Sequence, residues 1–256
     1  MEKRNHGNRP GSLFVVGTGP GAVKQMTLAA CEVLKQAEVI IGYKTYLDLI
    51  PDFLTGKEVV SSEMMKEVER CRLALTTAES GKDVALVYGG DPGIYAMAGL
   101  VYELAKETNS SCKIEIIPGI AAVNGCAARL GAPLMHDFAA VSLSDLLTPW
   151  EVIEKRLTAV ALADFVTAIY NPRSKRRTDQ IVRAREIFLA HRSPDTPVGI
   201  VTAATRDNER ISITTLGKML DCEIGMQSTV IIGNSQTYTW NSLMITPRGY
   251  RDKYQL

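Results

Sequence analysis

The patterned part of the chain opens with a short apolar run, Leu13 to Gly17, that ends in glycines and is followed by helical spacing from about Met26 to Ala37. The alternation then repeats. VIIGY (39–43) reads as a second strand, 63–80 as a helix and DVALVYGG (83–90) as a third strand. Residues 94–106 read as the next helix and KIEIIPG (113–119) as a strand, before an alanine-rich helix that ends at Gly131. Apolar runs without alternation are strands buried on both faces, as in a parallel sheet covered by helices. Strand–helix–strand units imply right-handed crossovers and ligand sites at the carboxyl ends of the strands. The predicted class is α/β.

The pattern pauses at Gly131-Ala132-Pro133 and restarts with AAVSLS (139–144). A helix start follows in which Thr148 reads as the cap, Pro149 as the first helical residue and Glu151 as the partner in a capping box. Next come a strand, FVTAIY (165–170), a basic helix to about Arg192, and PVGIVTAAT (197–205). Beyond Asp207-Asn208 the segments shorten and become rich in β-branched residues: RISITTL, STVIIG and SLMIT. This predicts a second α/β domain with an antiparallel part. The expected boundaries are 12–135 for the first domain and 136–250 for the second.

With 256 residues, 46% of them hydrophobic, the chain can bury a core without a disulfide or metal staple. Lys and Arg total 29 against 28 acids, which disfavours a nucleic-acid partner or an acidic solvating tail. The best apolar stretch, 157–170, is broken by Asp164, so no membrane span is expected. The opening MEKRNHGNRPGS has no hydrophobic stretch behind its charges and reads as a frayed tail, not a signal peptide. Five scattered cysteines without a CxxC pair, and three histidines far apart, argue against a disulfide framework and a metal site. A reducing, cytoplasmic setting is expected.

Three glycine turns carry the candidate chemistry. Gly17-Thr18-Gly19-Pro20-Gly21 follows the first strand, and Gly17, Gly19 and Ala22 formally satisfy the dinucleotide pattern G-x-G-x-x-[GA]. The second strand ends in Gly42-Tyr43-Lys44, however, without the carboxylate that would hold a ribose, and no Gly-Lys-Ser/Thr follows. The turn is therefore either a ligand loop with free N–H groups or simply a tight turn. Gly89-Gly90-Asp91-Pro92-Gly93-Ile94-Tyr95 closes the strand DVALVY, and Pro118-Gly119-Ile120-Ala121-Ala122 closes the next. Three such turns on one edge of one sheet are more specific than any one alone.

GTGPG, GGDPGIY and IPGIAA, in this order and spacing, resemble the tetrapyrrole methylase family of S-adenosylmethionine-dependent enzymes. APLMHDFAAVSLSDLLTPW, IYNPRSKRR and VTAATR extend the likeness toward the branch that methylates carbon 17 of a corrin precursor and contracts its ring. The resemblance runs from about Leu13 to Arg248; one departure is Ala22, where many relatives carry an acid after GPG. It implies two α/β domains with S-adenosylmethionine in the cleft between them, a tetrapyrrole substrate and a homodimer. The implied cofactor contacts are Pro20, Gly89, Gly90, Asp91, Ile94, Ala121, Ala122, Tyr170, Asn171, Ala203 and Ala204. Asp91, the one charge among them, would accept hydrogen bonds from ribose hydroxyls or the methionine ammonium, or else cap the following helix. An RNA or protein methyltransferase on the same fold is the alternative, although such relatives lack the YNPRSKRR and SLSDLLTPW segments. A nicotinamide-dependent oxidoreductase is disfavoured by the missing ribose carboxylate.

Two further features bear on the substrate. In the segment Asn171 to Arg177, cations at a helix N-terminus would oppose the macrodipole by ~0.3–1 kcal/mol each unless an anion binds there. Corrin precursors carry acetate and propionate arms, which makes Arg173, Lys175 and Arg176 candidate substrate-binding residues; the bland reading is a solvated face. His136 and Asp137 are candidate catalytic residues, because ring contraction needs proton transfers and histidine titrates near neutrality. The alternative is an ordinary surface linker.

Overall fold

Strand β1 (Ser12–Gly17) shows why these strands are apolar throughout: Leu13 and Val15 pack into one layer, and Val16 into the opposite one. Successive side chains of a strand face opposite ways, so a run without polar positions needs cover on both faces. Helix α1 (Leu28–Gln36) covers one face through Ala30 and Leu34. After it come β2 (Val39–Tyr43), α2 (Lys44–Leu47) and β3 (Glu58–Ser62). Helix α3 (Glu67–Glu79), strand β4 (Val84–Tyr88) and helix α4 (Ala98–Glu107) follow, and the two helices cover the other face through Cys71, Ala74, Val101 and Leu104. Strand β5 (Lys113–Ile117) completes a sheet of order β3-β2-β4-β1-β5 in which every pair is parallel. The carboxyl ends of β4, β1 and β5 are therefore neighbours on one edge.

The structure is a computed structural model that describes residues 11–63 and 65–255. Most of the opening segment read as a frayed tail lies outside those residues. One compact unit extends to Ala122 and a second begins at Val123. Helix α5 (Ala122–Leu130) leads into β6 (Gly131–Ala132), β7 (Phe138–Ser142), α6 (Trp150–Leu162), β8 (Val166–Tyr170) and α7 (Gln180–Leu189). Strands β9 (Pro197–Thr202), β10 (Arg210–Thr215), β11 (Ser228–Ile232), β12 (Tyr238–Trp240) and β13 (Leu243–Ile245) follow, then α8 (Tyr250–Lys253).

The second sheet has the order β10-β9-β11-β8-β7. β7 pairs with β8 in parallel, while β11 runs antiparallel to both β8 and β9. Strands β7, β8 and β9 consequently point the same way, and Ser142, Tyr170 and Thr202 end on one edge. Ile153, Leu157, Ile181 and Phe188 of α6 and α7 pack on one face of this sheet against Ile169, Ile200 and Val230. At Gly199 of β9 a Cβ would fall 2.7 Å from Leu130 Cδ2, so the missing side chain is what lets α5 seat there.

Two local expectations fail. Pro149 is the cap of α6 and not its first residue, and no side chain caps that end; the N–H groups of Val152 and Ile153 bond to the Pro149 carbonyl. The helix starts one residue later than the pattern suggests, which puts Glu151 at the wrong position for a capping box. Helix α7 starts at Gln180, so Arg173, Lys175 and Arg176 lie in the loop before it and not on its first turn. Asp164, at φ +57°, forms the turn that ends the apolar stretch between α6 and β8. Among the described residues no helix is long and apolar enough to cross a membrane.

Candidate functional site

The three glycine turns of the first unit meet backbone to backbone. Gly19 and Gly90 form an isolated bridge: the Gly19 N–H donates to the Gly90 carbonyl at 3.1 Å and the Gly90 N–H to the Gly19 carbonyl at 2.7 Å. Both sit at positive φ, +75° and +74°, which glycine adopts without the strain a side chain would cause. A Cβ on Gly17 would stand 2.6 Å from the Gly90 carbonyl oxygen and 2.7 Å from the Gly119 nitrogen. A Cβ on Gly119 would collide with the same Gly90 oxygen and lie 2.8 Å from the Gly17 carbonyl. Glycine is required here for chain-to-chain approach.

Of the two readings of the first turn, the backbone bonds favour the tight turn. The Thr18 N–H donates to the Tyr88 carbonyl and the Gly19 N–H is spent on Gly90, so neither is free for a ligand. No α-helix opens directly from the turn, because α1 begins only at Leu28, capped by the Thr27 hydroxyl. The dinucleotide pattern is thus met in letters alone. Thr27 also donates to the Pro118 carbonyl at 3.1 Å, which ties α1 to the turn after β5.

Asp91 ties the second and third turns together. One carboxylate oxygen accepts from the Gly93 N–H at 2.8 Å, the other from the Gly119 N–H at 3.1 Å. It does not cap α4, which starts at Ala98 after Met97. A carboxylate offers about four acceptor sites, so two remain for a ligand. Pro20 and Ala121 are buried, Ala122 opens α5, and Ile94 and Ile120 are exposed beside Asp91's turn and Gly119's turn respectively. Gly89 is accounted for by a neighbour that sequence patterns did not reveal. A Cβ there would run into the ring of Tyr46, which packs between Tyr43 (centroids 5.5 Å apart) and Tyr88 (5.3 Å).

In the second unit, Tyr170 and Asn171 lie level with Val201 and Thr202 across β11, two strand spacings or about 10 Å apart. The Tyr170 hydroxyl accepts from the Val123 N–H at 2.9 Å in the first turn of α5. Asn171 (φ +50°), Ala203 (+50°) and Thr205 (+63°) are left-handed without being glycine, and Tyr95 of the first unit (+52°) is another. Such strain persists only where surroundings enforce it, and it concentrates at ligand sites. The Asn171 amide donates to Ser142 Oγ at 3.0 Å. Ala203 and Ala204 are buried. Glu209, which no sequence signal singled out, fixes this loop: it accepts the Thr205 N–H at 2.6 Å and a two-pronged contact from Arg129 at 2.7–3.0 Å. Burial pushes the Glu209 carboxyl up, but the bonds from Arg129 and Thr205 outweigh it and leave its pKa below the ordinary value.

Arg177 turns inward and donates to the Asn171 carbonyl at 3.0 Å, while Arg173, Lys175 and Arg176 are exposed. His136 and Asp137 precede β7, at the opposite edge of the second sheet from Asn171, six residues or roughly 20 Å along the strand from Ser142. His136 Nδ1 accepts the Asp137 N–H at 2.8 Å and lies 3.5 Å from the Asp137 carboxylate. The structure does not bring this pair to the sheet edge where Ser142, Tyr170 and Thr202 end. Among the described residues no group of three or more His, Cys, Asp or Glu side chains could hold a metal ion.

Comparison with known proteins adds a family. Residues 12–220 match the model of the Tetrapyrrole (Corrin/Porphyrin) Methylases. A cobalt-factor III methyltransferase of Priestia megaterium is 53% identical over 96% of this chain, which spans 46% of that protein. A probable cobalt-factor III C(17)-methyltransferase of Salmonella typhimurium is 49% identical over 93% of this chain and 99% of its own length. The crystal structure of the methyltransferase CobJ superimposes with a TM-score of 0.86, at 36% identity, over 93% of this chain and all of that one.

Proposed function

Since the chain belongs to the tetrapyrrole methylase family, we propose that it methylates carbon 17 of cobalt-factor III, or of its cobalt-free counterpart precorrin-3B, with contraction of the ring. The observation that carries the reading is the match to the Salmonella relative along nearly the whole of both chains. An RNA or protein methyltransferase on the same fold is not favoured, because relatives at 41–53% identity over most of the chain bear names from cobalamin biosynthesis. A cytoplasmic homodimer is part of the proposal; five unpaired cysteines fit a reducing compartment.

The methyl donor in this reading is S-adenosylmethionine, which brings an electrophilic sulfonium methyl group when bound. The donor set suits it. Segments 17–22, 89–95 and 118–122 contain one charged side chain, the carboxylate of Asp91, and no cation to repel a sulfonium. Asp91 has acceptor capacity left for hydroxyl or ammonium groups, and Gly89, Gly90, Ala121, Ala122, Ala203 and Ala204 are further proposed contacts. Pro20, Ile94, Tyr170 and Asn171 complete the proposed contacts. Methyl transfer to carbon needs little acid–base assistance, so the protein's task is alignment of donor and acceptor. Arg173, Lys175 and Arg176 are the proposed holders of the substrate's carboxylate arms.

The test is incubation of the purified protein with S-adenosylmethionine and each precursor, followed by mass and absorbance spectra. A product heavier by one methyl with a changed chromophore is expected. Methyl incorporation into neither precursor overturns the reading.

A further inference from the structure

Two leucines stand in water at the ligand edge of the second sheet. Leu146 is 73% exposed and its neighbour Leu147 is 99% exposed, in the loop that leaves the carboxyl end of β7. A single exposed leucine is unremarkable, but adjacent apolar side chains on a rigid support mark a surface that meets something. The support is visible. Just before the leucines, the Ser144 N–H donates to Ser142 Oγ at 3.2 Å and Gln180 of α7 donates to the Asp145 carboxylate at 2.9 Å. Just after them, Pro149 caps α6 and Trp150 packs against the core. The leucine pair is thus presented on a short span anchored at both ends.

The neighbouring loop supplies the complementary chemistry. β7 and β8 pair in register, Ser142 opposite Tyr170, and the loops that leave them are joined by the Leu143 N–H to Tyr170 carbonyl bond at 2.9 Å and by Asn171 to Ser142. Residues 171–179 contain four cations against one acid, Asp179. Arg177 is committed to the Asn171 carbonyl, and Asp179 accepts from Thr178. Arg173, Lys175 and Arg176 are exposed and make no hydrogen bond or ion pair among the described residues. An apolar knob beside three unpaired cations matches a ligand with a broad apolar face and an anionic rim.

We propose that Leu146 and Leu147 form the platform on which the tetrapyrrole's apolar face rests, with Arg173, Lys175 and Arg176 gripping its carboxylate rim. This deepens the proposed function and rests on it. Leu146 and Leu147 act by positioning the macrocycle and not in the chemistry. Ligands that cover a fully exposed leucine gain about tenfold in affinity per side chain. The cations act at a partly wet rim, so their share falls as salt rises.

The experiment compares wild type, Leu146→Ser/Leu147→Ser and Arg173→Gln/Arg176→Gln. It measures KM and kcat with the tetrapyrrole, calorimetric affinity for S-adenosylhomocysteine, melting temperature and sedimentation. The expected result for the leucine variant is a KM raised tenfold or more at both low and high salt. Its S-adenosylhomocysteine affinity should stay within twofold, with an unchanged or higher melting temperature. The arginine variant should show a KM increase that shrinks at high salt. An unchanged KM in the leucine variant, with wild-type turnover intact, overturns the inference alone. A leucine variant that dissociates in sedimentation with unchanged KM assigns the patch to a second copy of the chain and overturns it as well. A wild-type protein that neither binds nor turns over either precursor overturns the proposed function, and the platform with it.

Discussion

At the scale of single residues, the glycines and Asp91 of the first unit have a structural duty that precedes any ligand. Gly119 has no room for a Cβ because the Gly90 carbonyl and the Gly17 backbone occupy its place. Gly119→Ala should therefore lower stability by about 1–3 kcal/mol, the usual range for forced overpacking, before cofactor binding is considered. Urea unfolding reads this directly, and wild-type stability would show that the turns relax apart. Asp91→Ala removes a charged acceptor from the Gly93 and Gly119 N–H groups, which should destabilise by about 1–3 kcal/mol. If Asp91 also meets the ligand, S-adenosylmethionine affinity falls in a variant that is still folded at the assay temperature. Calorimetric affinity within twofold of wild type would restrict Asp91 to holding the turns. Sequence reading located these residues correctly on one sheet edge. The reason for them was hidden, since a pattern of glycines does not say whether the close neighbour is a ligand or another stretch of backbone.

At the scale of elements, the loop between β9 and β10 depends on a contact from α5. Glu209 holds the left-handed Thr205 N–H, and Arg129 in turn orients Glu209, whose side chain is only 16% exposed. Its pKa lies below the ordinary 4.5. A carboxyl with a depressed folded pKa adds stability that is fully present above its unfolded pKa and is lost as pH falls through the folded one. Glu209→Gln should thus be less stable than wild type at neutral pH, and the difference should narrow below pH 4.5. Thermal melts of both proteins across that range check it; parallel curves would mean the carboxylate's charge contributes nothing. Strong periodicity revealed most strands and helices, but short elements escaped. β3 is a short edge strand, EVVSS, whose mostly exposed side chains leave no apolar run to detect. The start of α6 slipped by one residue because Thr148, Pro149 and Glu151 satisfy a capping rule in sequence that backbone bonding to the Pro149 carbonyl makes unnecessary.

At the scale of the whole molecule, each unit carries its own buried sheet and its own protected thiols. Cys71 sits in the first core and Cys126 in α5, and burial pushes both thiols up to about 11; Cys112 is buried too. Cys31 and Cys222 are only half-buried. Native protein at pH 8 should therefore react quickly at Cys31 and Cys222 with a thiol reagent, while the other three wait for unfolding, because the thiolate is the reactive form. Peptide mass mapping of the labelled sites checks this, and prompt labelling of Cys71 or Cys126 would mean its core opens readily. The fold class and the strand-end location of the glycine turns were legible because both follow from hydrophobic runs and turn residues. The roles of Glu209, Tyr46 and Arg177 were not, since each depends on a neighbour far away in sequence.

The late start of α6 has an optical consequence. Both tryptophans of the chain, Trp150 and Trp240, belong to the second unit, and the first unit has tyrosines but no tryptophan. With Pro149 as the cap, Trp150 is the first helical residue, half-buried three positions beyond the outermost leucine. A conjugated macrocycle that settles on that loop would lie within energy-transfer range of the indole and quench its emission. Trp240, 60% exposed on the β12–β13 hairpin, would remain as a second emitter removable by Trp240→Phe. The chain thus carries a native fluorophore beside its proposed substrate platform, and titration can follow binding there without any label.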